Sequence, residues 1–144
     1  MIFAEADEAK RLLTMQFTNR VSVEEMLDLV PKMPVLLSAI APGFTLLTDL
    51  SQLEWMDPAC APEIGNLMDL VSAKGVKTVV RVIPDPAKDI GFALMSSFHY
   101  GREVRVVVHE TLEDGLQSVP PIHLLEEEGV AQEIANDLTP GAPG

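Results

Sequence analysis

The chain has a single cysteine among 144 residues, which excludes an internal disulfide, and its three histidines are scattered without the close ligand spacing of a zinc site. Bases are scarce as well: 10 Lys and Arg stand against 22 Asp and Glu, a formal net charge of −12. The averaged field of such a molecule repels phosphate backbones and anionic headgroups, so no nucleic-acid partner is expected. The shortage is also local. No Lys or Arg follows Arg105, whereas Glu110, Glu113, Asp114, Glu126, Glu127, Glu128, Glu133 and Asp137 all do, and this acidic end reads as a solvated face or a partner surface. Long apolar runs are missing too. The start, MIFAEADEAK, carries acids where a signal peptide needs an apolar core, and no stretch approaches the roughly 20 residues of a membrane span. A soluble, cytoplasmic protein without membrane insertion is the expectation.

What the chain does have is 47% hydrophobic content, enough for one core at a length too short for two ordinary domains. IFAEA and RLLTMQFT read as a hairpin, since Leu13, Met15 and Phe17 fall on one side. Ser22 followed by Glu24 and Glu25 marks a helix start, with Val23, Met26, Leu27 and Val30 as its stripe. Pro31 and Pro34 break or kink that helix, and PVLLSAIAPG reads either as a second short helix or as an apolar loop. FTLLTDLS is a strand between the turn signal Pro42-Gly43 and the acid-rich QLE, and KTVVRVIP a strand buried on both faces. Between them Cys60, Ile64, Leu67, Met68 and Val71 lie at helical spacing. DPAKDIGFALMSSFHYG makes the next helix, with Asp85 as its cap, Pro86 at the first position and Gly101 at its stop. EVRVVVHE is the last strand, and Thr111 caps a short helix that Pro120-Pro121 ends. Residues 122–138 can form one more amphipathic helix, through Leu124, Leu125, Val130, Ile134 and Leu138, before a frayed TPGAPG tail.

Three features invite a chemical reading. Cys60 sits near a helix N-terminus, where a thiol can ionise more easily, yet it also opens the apolar stripe of its own helix, and no histidine is near it in sequence. Packing is the favoured account, and reactive thiol chemistry the least favoured. Asp57-Pro58 is explained by capping alone, and Pro62 shifts the regular helix start toward Ala61. Arg81 and Arg105 lie inside strand patterns, so each is paired with an acid, edge-facing or lining a polar pocket. The helix with Phe92, Leu94, Met95, Phe98 and Tyr100 has more apolar surface than one narrow stripe, which implies cover on two sides, a partner subunit or an apolar ligand.

This order of elements, together with LLTDLSQLEWMDPAC and GVKTVVRVIPDPAKDIGFALMSSFHYGREVRVV, resembles the STAS domains, the superfamily of anti-sigma-factor antagonists and of the cytoplasmic domains of sulfate transporters. Within it the look is that of the stand-alone STAS/SEC14-like branch. The resemblance implies an α/β fold with a mixed, mostly parallel sheet: an N-terminal hairpin plus βαβαβα, helices packed against it, over residues 1–119. Residues 120–144 would then be an acidic extension. In the antagonists the strand-to-helix turn reads aspartate, two small hydroxyl residues and glycine, and the second hydroxyl accepts a phosphate. Here Asp57 matches the aspartate, Pro58 and Ala59 carry no hydroxyl, and Cys60 stands where the glycine would be. The implied role is a non-enzymatic, cofactor-free regulatory or adaptor domain that self-associates. An unidentified protein partner would dock on Met56, Asp57, Pro58, Ala59, Cys60 and Glu63 with Asp85, Lys88 and Asp89. The SEC14-like label implies an alternative: a lipid or other apolar small molecule held among Met26, Leu36, Ile40, Phe92, Met95 and Phe98.

Overall fold

Alternating apolar residues at the start of the chain give the hairpin that a period of two requires. The computed structural model describes residues 1–121. Along them run β1 (Ile2–Asp7), β2 (Leu12–Phe17), β3 (Asn19–Val21), β4 (Thr45–Asp49), β5 (Leu53–Met56), β6 (Thr78–Val82) and β7 (Arg105–His109). The helices are α1 (Val23–Leu29), α2 (Met33–Ser38), α3 (Ala61–Lys74), α4 (Asp89–His99) and α5 (Leu112–Gln117). β1 is antiparallel to β2, with Ile2 opposite Phe17, and β2, β4, β6 and β7 are parallel in the order β1-β2-β4-β6-β7. The sheet is therefore mixed at one edge and otherwise parallel, as expected.

Register sorts the side chains. Leu13, Met15, Phe17, Leu46, Leu50, Val79 and Ile83 face one side, where they join Met26, Met33, Ile64, Leu67 and Val71 of the helices in the main core. Leu47, Val80 and Val82 face the other side and form a smaller cluster. α5 covers that cluster closely: a Cβ on Gly115 would lie 2.5 Å from Val82 Cγ2, so only glycine lets the helix down onto the sheet. The central strands are thus covered on both faces, which is why KTVVRV has no polar alternation.

Local chemistry sets the helix ends. Ser22 and Glu25 exchange a capping box, Ser22 N donating to Glu25 Oε2 at 2.9 Å and Glu25 N to Ser22 Oγ at 3.3 Å. The bond from the Ser22 amide, more than any other contribution, holds the Glu25 carboxyl below its ordinary value. The two prolines do break the first helix. α1 ends at Leu29, a 3-10 turn spans Val30–Lys32, and PVLLS continues as helix α2. α3 stops at Gly75, whose φ of 100° is the left-handed conformation a residue with a side chain adopts only at a cost.

Two elements differ from expectation. Leu53–Met56, just after a turn at Ser51-Gln52, is a further strand that pairs in parallel with Asn19–Val21 as a ribbon beyond the main sheet. Asn19 N donates to Gln52 O at 2.9 Å, and the Arg20 guanidinium stacks 4.5 Å over the Trp55 ring. The second concerns α4, which begins at Asp89, because Pro86–Lys88 is a 3-10 turn with Asp85 Oδ1 accepting from Ala87 N at 3.0 Å. The helix expected over 122–138 and the tail after it lie outside the described residues.

Candidate functional site

Parallel strands bring their carboxyl ends to one edge of the sheet, and ligands of open α/β sheets gather there. Asp49 at the end of β4 is in register with Val82 at the end of β6, and Leu50 N donates to Val82 O at 2.8 Å. The segments that follow β4 and β6 therefore leave the same end of the molecule. Asp49 itself is used internally, accepting from Ser51 N at 3.0 Å and from Gln16 Nε2 at 3.3 Å.

The first exit runs through β5 to the turn at Asp57. Asp57 N donates to Val21 O at 3.0 Å, and its Oδ1 accepts from Ala59 N at 3.0 Å, so the aspartate closes a 3-10 turn over Pro58–Cys60 before α3 begins at Ala61. Pro58 and Ala59 are exposed, Met56, Asp57 and Glu63 half-buried. Cys60 is fully buried in the main core. Burial first, then the negative charges of Asp57, Glu25 and Glu24, push its thiol pKa up. These effects outweigh the nearby helix start. The described histidines are engaged elsewhere, His99 Nδ1 with Asp69 Oδ1 and His109 Nε2 with Ser118 Oγ, each at 2.7 Å. Among the described residues no histidine is placed to activate Cys60 as a nucleophile.

The second exit is the bend after β6. Pro84, Asp85, Ala87 and Lys88 are exposed, and Lys88 N donates to Asp85 O at 3.0 Å. Asp89 is turned inward: its Oδ1 accepts from Arg81 Nη1 at 2.9 Å, with the two side chains 14% and 3% exposed. The same guanidinium donates from Nη2 to Ser96 Oγ at 2.5 Å and stands 5.6 Å over the Phe92 ring. Arg81 is thus the acid-paired case, whereas Arg105 is exposed on the edge strand. Tyr100 lies beside this cluster, and burial drives its phenol up to about 12 against a smaller downward pull from Arg81. Arg81, Ser96 and Tyr100 also line a groove of about 470 Å³ between α4 and β7, with Val106 and Val108 along it. The signal for this cluster is an arginine in the middle of an otherwise apolar strand. Its partners, eight and fifteen residues away, have no local signature.

Met56 and Phe92 border one cavity of about 30 Å³ between the sheet, α3 and α4. That is about one water's share of liquid volume. Among the described residues, the six expected to hold an apolar molecule are spread over separate places. Met26 and Ile40 are core residues, and Leu36 lines an open groove of about 690 Å³ beside β1 and α1. Phe92 and Met95 are half-buried, Phe98 is exposed, and α3 stands between their helix and α2. Among the described residues no group of His, Cys, Asp or Glu is arranged to hold a metal ion, and no helix is long and apolar enough to cross a membrane.

No protein-family model matches the chain, and no curated protein matches it. Solved structures do. An uncharacterized protein from the DUF3478 family with a SpoIIAA-like fold, from Shewanella loihica PV-4, is 16% identical at a TM-score of 0.64, over 83% of this chain and 94% of that one. The Bacillus cell fate determinant SpoIIAA in its phosphorylated form is 13% identical at 0.53, over 83% and 100%. An anti-sigma factor antagonist from Mycobacterium paratuberculosis is 16% identical at 0.51, over 83% and 94%. Identities this low speak for the fold alone. The chain has the SpoIIAA-like STAS fold.

Proposed function

We propose that this STAS-fold chain is a non-enzymatic regulatory or adaptor domain that docks a protein partner on the carboxyl end of its sheet. What supports the reading is that the segments after β4 and β6 leave the same end of the sheet, each forming an exposed bend pinned by its own aspartate, with no activated nucleophile among the described residues. Trp55, 42% exposed, adds a rigid aromatic anchor of the kind that dominates binding energy. Glu54, Asp57, Glu63 and Asp85 against Lys88 give the surface an acidic balance, so it suits a partner with an apolar recess and a basic rim. The fold shared with anti-sigma-factor antagonists supports a regulatory role. Pro58 and Ala59, without a hydroxyl, support docking that is not switched by phosphate at those two positions.

Site-specific photo-crosslinking in the native host tests this. A photoreactive residue at Ala59 or at Ala87 of the full chain should capture the same partner, and one at exposed Ser38 on α2 should not. Glu63→Lys with Asp85→Lys should weaken that capture at least tenfold. Absent adducts at both bends, or equal capture from position 38, would remove the docking surface. A retained small molecule in the native mass of the gently purified chain would instead favour the carrier reading.

A further inference from the structure

β7 is the outer strand of the sheet, and among the described residues no strand lies beyond it. Arg105 N donates to Lys77 O at 3.0 Å and His109 O accepts from Ile83 N at 2.8 Å, so the odd residues of β7 turn their backbone groups toward β6. Alternation then points the N–H and C=O of Val106 and Val108 outward. Sheet edges are ordinarily blunted by a charge, a proline, a bulge or a covering element. β1, at the other edge, has Glu5 and Asp7 within the strand. The middle of β7 is Val106-Val107-Val108 without proline or bulge, and Val106 and Val108 are 37% and 43% exposed. We infer that this edge pairs with β7 of a second copy, antiparallel and centred on Val107, so that two sheets join into one across a two-fold axis. The edge is separate from the docking surface proposed above, and either can fail alone.

Charge complementarity selects a second copy as the occupant. At the amino end of β7, exposed Arg102 and Arg105 stand with one acid, Glu103, and Lys77 precedes the neighbouring strand. At the carboxyl end stand Glu110, Glu113 and Asp114, joined by Asp85 of the bend after β6, with Lys88 as the exposed base of that bend. Asp89 adds nothing there, because Arg81 holds it, and His109 is bonded to Ser118. The edge is therefore positive at one end, with or without Lys77, and negative at the other. An antiparallel copy sets Arg105 beside the copy's Glu110 end twice over, whereas a parallel one would oppose like signs.

Register and packing agree with this arrangement. Centring on Val107 sets Val106 opposite Val108 of the copy on both sides of the axis, and residues with outward backbone groups exchange both of their hydrogen bonds in such a pair. α4 lies over the same edge, since its Ala93 and Ser97 share a groove with Val106 and Val108. A two-fold axis normal to the sheet keeps the two α4 helices on one face. Ile90, Leu94 and Phe98 recur at a spacing of four beside Ala93 and Ser97, and are 70%, 60% and 78% exposed. On the opposite side of the helix Phe92 and Met95 pack on the core and His99 is bonded to Asp69 of α3. The open stripe thus points away from α3 and toward the copy, which covers an apolar surface too continuous to be scattered exposure.

Sedimentation of the full chain is the test. The parent should run as a dimer at micromolar concentration, and a monomer at every concentration would overturn the inference. Arg105→Glu and Glu110→Arg should each weaken self-association at least tenfold, because either one sets like charges together at both ends of the pair. An equimolar mixture of the two variants should recover the parental dimer, since in the mixed pair both ends again join opposite signs. A mixture that associates no more tightly than the separate variants would overturn the antiparallel pairing. Val106→Pro removes an outward N–H and leaves the bonds to β6 in place, so it should give a monomer with the parent's circular dichroism. A dimer as tight as the parent's would overturn the inference. Arg105 and Glu110 are exposed, so the mixing result stands even where the proline variant does not fold.

Discussion

Removing the Asp89 carboxylate should cost this protein more than removing the whole ion pair. Arg81 is 3% exposed, with its charge met by Asp89 at 2.9 Å and a second bond given to Ser96. Asp89→Ala strips the counter-charge and leaves the guanidinium buried against a hydroxyl and the Phe92 ring. Breaking a buried pair from one side costs about 3–5 kcal/mol. Asp89 is itself 14% exposed, so water partly replaces it and the lower end, about 3 kcal/mol, applies. For a chain of this size that lowers the melting temperature by about 12 °C. Arg81→Met with Asp89→Leu removes both charges and fills the space with apolar atoms, so the double variant should come within about 1 kcal/mol of the parent. Urea unfolding followed by Trp55 fluorescence and by circular dichroism measures both, with an unchanged slope as the check that only stability has moved. The loss should also persist at high salt, because a buried pair is screened far less than a surface one. A cost below about 1 kcal/mol for Asp89→Ala, or a double variant no more stable than that single one, would refute the reasoning.

Tyr100 is the one tyrosine, so absorbance of tyrosinate reports it alone: its midpoint should lie near 12 in the folded protein and near 10 in urea. The raised value means that the unfolded chain ionises first, so stability should fall as pH climbs from 10 toward 12, and Tyr100→Phe should abolish that fall; a folded midpoint near 10 contradicts the burial. The Cys60 thiol should react with an aromatic disulfide reagent at neutral pH only at the rate of unfolding, and labelling within seconds would restore the thiol-enzyme reading. Gly115→Ala should lower stability by about 1–3 kcal/mol in urea, since its methyl meets Val82; a neutral outcome would mean that α5 is not held against the sheet.

Much of the architecture is legible in the residues because each signal is local and repeated. Leu13, Met15 and Phe17 declare a strand by alternation, Ser22 with Glu25 declares a helix start, and the run TVVRV declares a strand covered on both faces. The ribbon of β3 and β5 is not legible, since three or four residues are too few for a period to show and their pairing is with each other across the chain. Asp85 misplaces the start of α4 because an aspartate two residues before a free amide closes a short turn as readily as it caps a helix. The site divides the same way. Both bends could be read from sequence. That Cys60 points inward, that Asp89 belongs to Arg81, and that Ile90, Leu94 and Phe98 share an open side all depend on how α3 and α4 rotate about their axes, which only tertiary packing decides.

The residues at 58–60 would make the docking surface proposed above stiff. In a turn that must accept a phosphate, the hydroxyls have to face solvent and the backbone benefits from glycine. This chain instead places Pro58, whose ring fixes φ, beside Cys60, whose side chain is buried in the core, with Asp57 bonding to the amide of Ala59 and to the carbonyl of Val21. The bend is tied at both ends. A surface fixed before its partner arrives loses little conformational entropy on binding, and this favours steady docking over a switch that must move. Control would then have to come from outside the turn, through the supply of the partner or of this chain.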